Sequence, residues 1–205
     1  MSVRIYVLCH NQERLAEATR EFQPFASWAR PILMKYQDST FENAFWRQLL
    51  EMKEEWIGCD MVGTLSAKAG KKIRLSRIDA IIKNPSIWRQ SGYFHFFDSR
   101  LPLTKDHPHL QEIMETVCAT LELPVPTENW CNYWMCSPPR MLEFIQWFEE
   151  RAKPVVMGHP LTLTDACYRQ GTLTPEQLTA ICGRPFYPHA PFVFERLNKS
   201  FFVSR

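Results

Sequence analysis

Residues 4–21, RIYVLCHNQERLAEATRE, decide the fold class. The run RIYVLC (4–9) is rich in β-branched and aromatic side chains and stops at the polar pair His10-Asn11, as a buried strand does. Asn11 stands where a helix N-cap stands, and the residues up to Glu21 then read as a helix. A buried strand running straight into a helix is the opening of an alternating α/β pattern.

Outward from this stretch the alternation continues. Residues 32–36 form a second, weaker strand. Ser39-Thr40-Phe41-Glu42 is a capping-box sequence before a helix whose apolar residues Phe41, Phe45, Leu49, Met52 and Trp56 recur every three or four positions. Residues 60–66 (DMVGTLS) read as a third strand, followed by a loop containing Gly70-Lys71-Lys72 and by a helix with Ile78, Ile81 and Ile82 on one side. Residues 92–97 (GYFHFF) are strongly strand-forming, and a later helix carries Leu110, Ile113, Val117 and Leu121. Residues 130–136 (WCNYWMC) are the next strand, and Pro138-Pro139 opens a helix expected to reach about Arg151. From about residue 152 the chain is irregular and Pro-rich. Two helices are expected in it, one opened by Thr174-Pro175-Glu176-Gln177 and one over residues 192–203. Strand–helix alternation of this length predicts an α/β fold with a mainly parallel central sheet and helices on both faces.

With 205 residues, 45% hydrophobic, the chain is sized for one sizeable core, so a single domain over 1–205 is expected. A formal charge of +2 provides no global field toward nucleic acid or an anionic membrane, although a local basic patch remains open. No apolar run reaches membrane-spanning length, and MSVRIYVLCHNQE lacks the pattern of a signal peptide. The expected location is therefore the cytoplasm. The seven cysteines are scattered without a CxxC pair, which predicts reduced core thiols.

In a sheet of this kind ligands bind beyond the carboxyl ends of the strands, which directs the search to the loops after Cys9, Ser66, Phe97 and Cys136. No GxGxxG, GxxxxGK[ST], GxSxG or HExxH pattern occurs, and glycines number only seven, so a bound diphosphate would have to be held by a metal or by basic side chains. A divalent ion at such a place is held by carboxylates, and Asp98 in Phe-Phe-Asp-Ser-Arg stands just past the strand-forming run 92–97. Asp98 reads equally as the cap of a turn.

RIYVLCHNQE (4–13), KYQDSTFENAFWRQLLE (35–51), DMVGTLSAKAGKKI (60–73), NYWMCSPPRMLEFIQWF (132–148) and PHAPFVFERLNKSFF (188–202) together resemble the small GT-A-type glycosyltransferases of large chlorella-infecting viruses and bacterial capsule- and rhamnan-synthesis glycosyltransferases. The resemblance implies a GT-A-like fold and transfer of a hexose or deoxyhexose from a nucleoside diphosphate sugar to a glycan acceptor. It also implies a manganese or magnesium ion. The Asp-x-Asp pair that usually holds that ion is missing from this sequence, which leaves His95, His189 or water to complete a shell around Asp98, or Arg100 to meet the diphosphate without a metal.

On this reading His10, Asn11, Lys71, Lys72 and Arg100 are donor contacts, Glu128 and Asp165 join Asp98 as catalytic candidates, and Trp130, Asn132 and Tyr133 meet the acceptor. Each also has a plain structural reading: Asn11 as a helix cap, His95 as a core imidazole, Lys71-Lys72 as solvated, and the aromatic strand as core. Asp60, Glu195-Arg196 and the His107-x-His109 pair carry weaker functional readings. The alternative function is a non-catalytic carbohydrate- or partner-binding α/β domain derived from a transferase.

Overall fold

The structure, a computed structural model, describes residues 2–97, 107–126, 131–169, 171 and 173–204. In chain order its elements are β1 (Val3–Cys9), α1 (Gln12–Glu21), β2 (Ala29–Leu33), α2 (Phe45–Glu51), α3 (Lys53–Trp56), β3 (Met61–Ser66), α4 (Ala69–Lys72), α5 (Leu75–Ile82) and β4 (Tyr93–His95). They continue with α6 (Leu110–Leu121), β5 (Trp134–Cys136), α7 (Pro138–Trp147), α8 (Lys153–Gly158), α9 (Pro175–Cys182) and α10 (Ala190–Val203). The chain forms two compact units, one of Met1–Tyr36, Phe45–Phe97 and Asn132–Ile145, the other of Gln37–Ala44, Asp98–Cys131 and Gln146–Arg205. No helix among the described residues is long and apolar enough to cross a membrane.

The first unit is an open five-stranded sheet flanked by helices, in the order β2-β1-β3-β5-β4. β1 pairs in parallel with β2 and β3, while β5 pairs antiparallel with both β3 and β4. Four strands therefore share one direction. The sheet is mixed, since the strand expected within 130–136 runs against the other four. β1 is buried along its length except at half-buried Arg4, as its unbroken apolar run requires of a central strand.

At the sheet edge β2 begins three residues earlier than expected, because Ile5 to Cys9 of β1 pair with Ala29 to Leu33. The edge position accommodates Pro31, which has no N–H to donate. Gly63 of β3 lies so close to β5 that a Cβ there would stand 2.1 Å from the Trp134 carbonyl oxygen, so the β3–β5 approach depends on glycine at this position. Behind the sheet Trp134 packs against Trp46 and Phe144, with ring centroids 5.3 and 5.1 Å away.

The expected helix over 41–56 is broken. Phe41 has φ +51°, and the Asp38 carboxylate accepts the Thr40 N–H at 2.7 Å. Residues 41–44 are a 3₁₀ turn, and Met52 separates α2 from α3. Of the predicted stripe, Phe45, Leu49 and Trp56 are fully buried.

The helix begun at Pro138 passes its expected end. Residues 148–152 widen into a π turn directly before Pro154, whose ring would otherwise meet the carbonyl four residues back, and α8 follows. In the second unit α6 buries Leu110, Ile113, Val117 and Leu121 as predicted and packs against α8 and α10. Thr174 and Gln177 complete the predicted capping box of α9. None of the seven cysteines is joined in a disulfide, and burial pushes the Cys118 thiol up to about 12.

Candidate functional site

From β1 the chain goes to β2 on one side and later to β3 on the other, so strand order reverses at β1. The crevice beyond the carboxyl ends of β1 and β3 is therefore the place where an open α/β sheet takes a ligand. Backbone pairing extends past the strands at this end. The Ala67 N–H donates to Leu8 O at 3.0 Å and the Met34 N–H to Cys9 O at 2.9 Å.

Ser66, the last residue of β3, organises the rim. Its Oγ lies 2.8 Å from the Tyr133 hydroxyl and accepts the Lys68 N–H at 3.2 Å. The Lys72 ammonium stands 5.6 Å from the Tyr133 ring centroid, within cation–π range. Lys71-Lys72, expected in a loop, belong to the short helix α4, whose Ala69 is buried. Residues 67–78 contain five cations, Lys68, Lys71, Lys72, Arg74 and Arg77, and no carboxylate. Lys71, Lys72, Arg74 and Arg77 are exposed. From α1 a carboxylate comes near the run: a Cβ on Gly70 would lie 2.0 Å from Glu21 Oε1. The run itself carries five positive charges and no negative one.

A second cluster stands at the carboxyl end of β2. Buried Gln48 accepts the Lys35 N–H at 2.7 Å and donates to Leu33 O at 3.1 Å, holding the chain in place as it leaves the strand. Glu51 accepts from the Tyr36 hydroxyl and from Lys35 Nζ at 2.9 Å, and Arg47 Nε lies 3.8 Å from it. Arg47 Cζ and Lys35 Nζ stand 4.3 and 5.0 Å from the Tyr36 ring centroid. The Tyr36 hydroxyl and then Lys35 hold the Glu51 carboxyl below its ordinary range, and Glu51 and then Tyr36 hold the Lys35 ammonium above its own.

The other expected site residues fall as follows. His10 leaves β1 half-buried at the switch point. Asn11 follows it, but its Oδ1 accepts the Arg14 N–H at 2.8 Å, so the side chain caps α1. His95 Nδ1 faces the Phe97 N–H at 3.3 Å at the end of β4. Asp98, Arg100, Glu128 and Trp130 lie outside the described residues.

Asn132 and Tyr133 are 0% and 2% exposed. Their enclosure runs against the expected role as acceptor contacts: the Asn132 carbonyl accepts the Thr64 hydroxyl at 2.8 Å, and Tyr133 serves Ser66. Asp60 sits at the amino end of β3, where its carboxylate accepts the Ser2 N–H at 2.6 Å.

In the second unit Asp165 shapes a turn. Its Oδ1 accepts the Cys167 N–H at 2.8 Å, and Cys167 has φ +55°. His189 is fully buried, with Nε2 2.5 Å from Pro108 O and Nδ1 3.1 Å from Thr164 O. A metal at His189 would have to displace one of these oxygens. Burial lowers its pKa, against the backbone contacts that raise it. His107 is buried with Nδ1 3.0 Å from Ala166 O, His109 pairs with Glu112 at 3.3 Å, and buried Arg196 donates to Phe192 O at 2.7 Å.

Among the described residues no group of three or more His, Cys, Asp or Glu side chains is placed to hold a metal ion, so the implied manganese or magnesium finds no donor set in them. Sequence reasoning missed Lys35, Tyr36, Arg47 and Glu51, although the Arg47–Glu51 spacing of four was visible, and it passed over Lys68, Arg74 and Arg77, although the run without a carboxylate was visible too. No family model, curated protein or solved structure matches this chain.

Proposed function

We propose that the chain transfers a hexose or deoxyhexose from a nucleoside diphosphate sugar to a glycan acceptor, with the donor diphosphate seated over the carboxyl ends of β1 and β3. The observation that carries this reading is the run of five cations without a carboxylate that opens at the strand-order reversal. In the reaction an acceptor hydroxyl attacks the anomeric carbon, the bond to the diphosphate oxygen breaks, and the diphosphate leaves with that electron pair. A carboxylate takes the hydroxyl proton. Lys68 and Lys72 neutralise the charge that builds on the leaving group and act as point charges, which suits phosphate without demanding one geometry.

The test is binding of pyrophosphate and of UDP-, GDP- and dTDP-sugars, followed by thermal shift with and without manganese. A ligand at one hundred times its dissociation constant stabilises the fold by about 2.7 kcal/mol. Lys68→Ala combined with Lys72→Ala is expected to weaken pyrophosphate at least about tenfold, since one charge-assisted hydrogen bond to phosphate is worth a factor of this order. If neither pyrophosphate nor any nucleotide sugar shifts the midpoint at millimolar concentration, the reading fails. Tight binding with no release of sugar onto water or added glycans would assign the chain instead to the non-catalytic binding domains.

A further inference from the structure

We infer that the Lys35, Tyr36, Arg47 and Glu51 cluster at the carboxyl end of β2 recognises the base of the donor nucleotide and selects guanine. This inference rests on the nucleotide-sugar reading above. β2, β1 and β3 are consecutive in the sheet, and strands lie about 4.8 Å apart, so the carboxyl ends of β2 and β3 stand about 10 Å from each other. That separation suits a nucleoside diphosphate laid across the strand ends with its base over β2.

The cluster has the form of a prepared guanidinium. Arg47 has its Cζ 4.3 Å from the Tyr36 ring centroid and its Nε 3.8 Å from Glu51, so the guanidinium lies between an aromatic ring and a carboxylate. The side chain is still 68% exposed. With Nε turned to Glu51, the edge formed by the two Nη groups remains for a ligand. Two parallel N–H donors match the O6 and N7 acceptors of guanine. Adenine places an amino donor where guanine has O6, and uracil and thymine offer one carbonyl on the corresponding edge. Glu51 already receives Tyr36 and Lys35, so its part is to orient Arg47. Tyr36 supplies the flat surface beneath it.

The test compares GDP, IDP, ADP, UDP and pyrophosphate on the full chain by titration calorimetry. IDP keeps O6 and N7 and lacks the 2-amino group. GDP and IDP are expected to bind about equally, and each at least about tenfold tighter than ADP or UDP, the discrimination of one bidentate contact. Arg47→Lys keeps the charge and removes the fork. It is expected to abolish the preference while leaving pyrophosphate affinity unchanged. ADP or UDP binding as tightly as GDP in the wild-type chain overturns the inference, as does a guanine preference that survives Arg47→Lys. If pyrophosphate and all four nucleotides bind alike and the Lys68/Lys72 variant loses them together, only the base assignment falls. If nothing binds, the donor reading falls and takes the base assignment with it.

Discussion

In the sheet unit β1 exchanges backbone hydrogen bonds with a strand on each side, and the helices close over a core of fully buried aromatic rings such as Trp46, Trp134 and Phe144. In the second unit much of the irregular chain is tied by single side chains reaching distant backbone oxygens. His107 meets Ala166 O, His189 meets Pro108 O and Thr164 O, and Arg184 Nε donates to Leu163 O. A ladder spreads its stabilisation over many equivalent bonds and draws on apolar burial. A buried imidazole concentrates it in one polar group, whose worth depends on its proton.

The largest expected effect tests the first kind of order. Trp134→Ala removes the ring between Trp46 and Phe144 and leaves a cavity, so urea denaturation should show a loss of about 3–5 kcal/mol. A loss below about 1 kcal/mol would mean that the sheet core is looser than its burial implies.

The next tests the second kind. His189→Gln removes the ring that stands between the backbone oxygens of Pro108 and Thr164, one of which receives the single N–H of the neutral imidazole, and should cost about 2 kcal/mol. It should also alter the response to pH. Burial lowers the His189 pKa in the folded chain, so below its ordinary value of 6.5 the unfolded chain takes up a proton that the folded chain lacks. The contribution is complete above 6.5 and is lost as pH falls through the folded value. Melting temperature should therefore drop from pH 7 toward pH 5 more steeply in the wild-type chain than in His189→Gln. Equal slopes would remove His189 as the source.

The smallest effect lies outside both schemes. Thr174→Ala removes one side of the α9 capping box and should cost about 1 kcal/mol in the same denaturation assay. Because the box is local, that cost should add to the cost of Trp134→Ala without coupling.

The same contrast explains what can be read from the sequence. β1, the Asn11 cap, β3, α6 and the Thr174 box are legible because each rests on neighbours one to four residues apart, where side-chain period and cap chemistry act directly. The 41–56 segment departs from the expected helix for the converse reason. Its apolar spacing is helical, but the chain takes a left-handed turn at Phe41 that periodicity does not register.

At the site the sequence by itself determined the ingredients: an α/β alternation, a search area at the strand ends, and two of the five cations of the basic run. Only the tertiary structure decided which way β5 runs, that Asn132 and Tyr133 are enclosed, and that Tyr36 meets Arg47 and Glu51. Strand direction and cross-chain contact are set by which surfaces can be buried together. That is a property of the whole chain, and no local window of residues carries it.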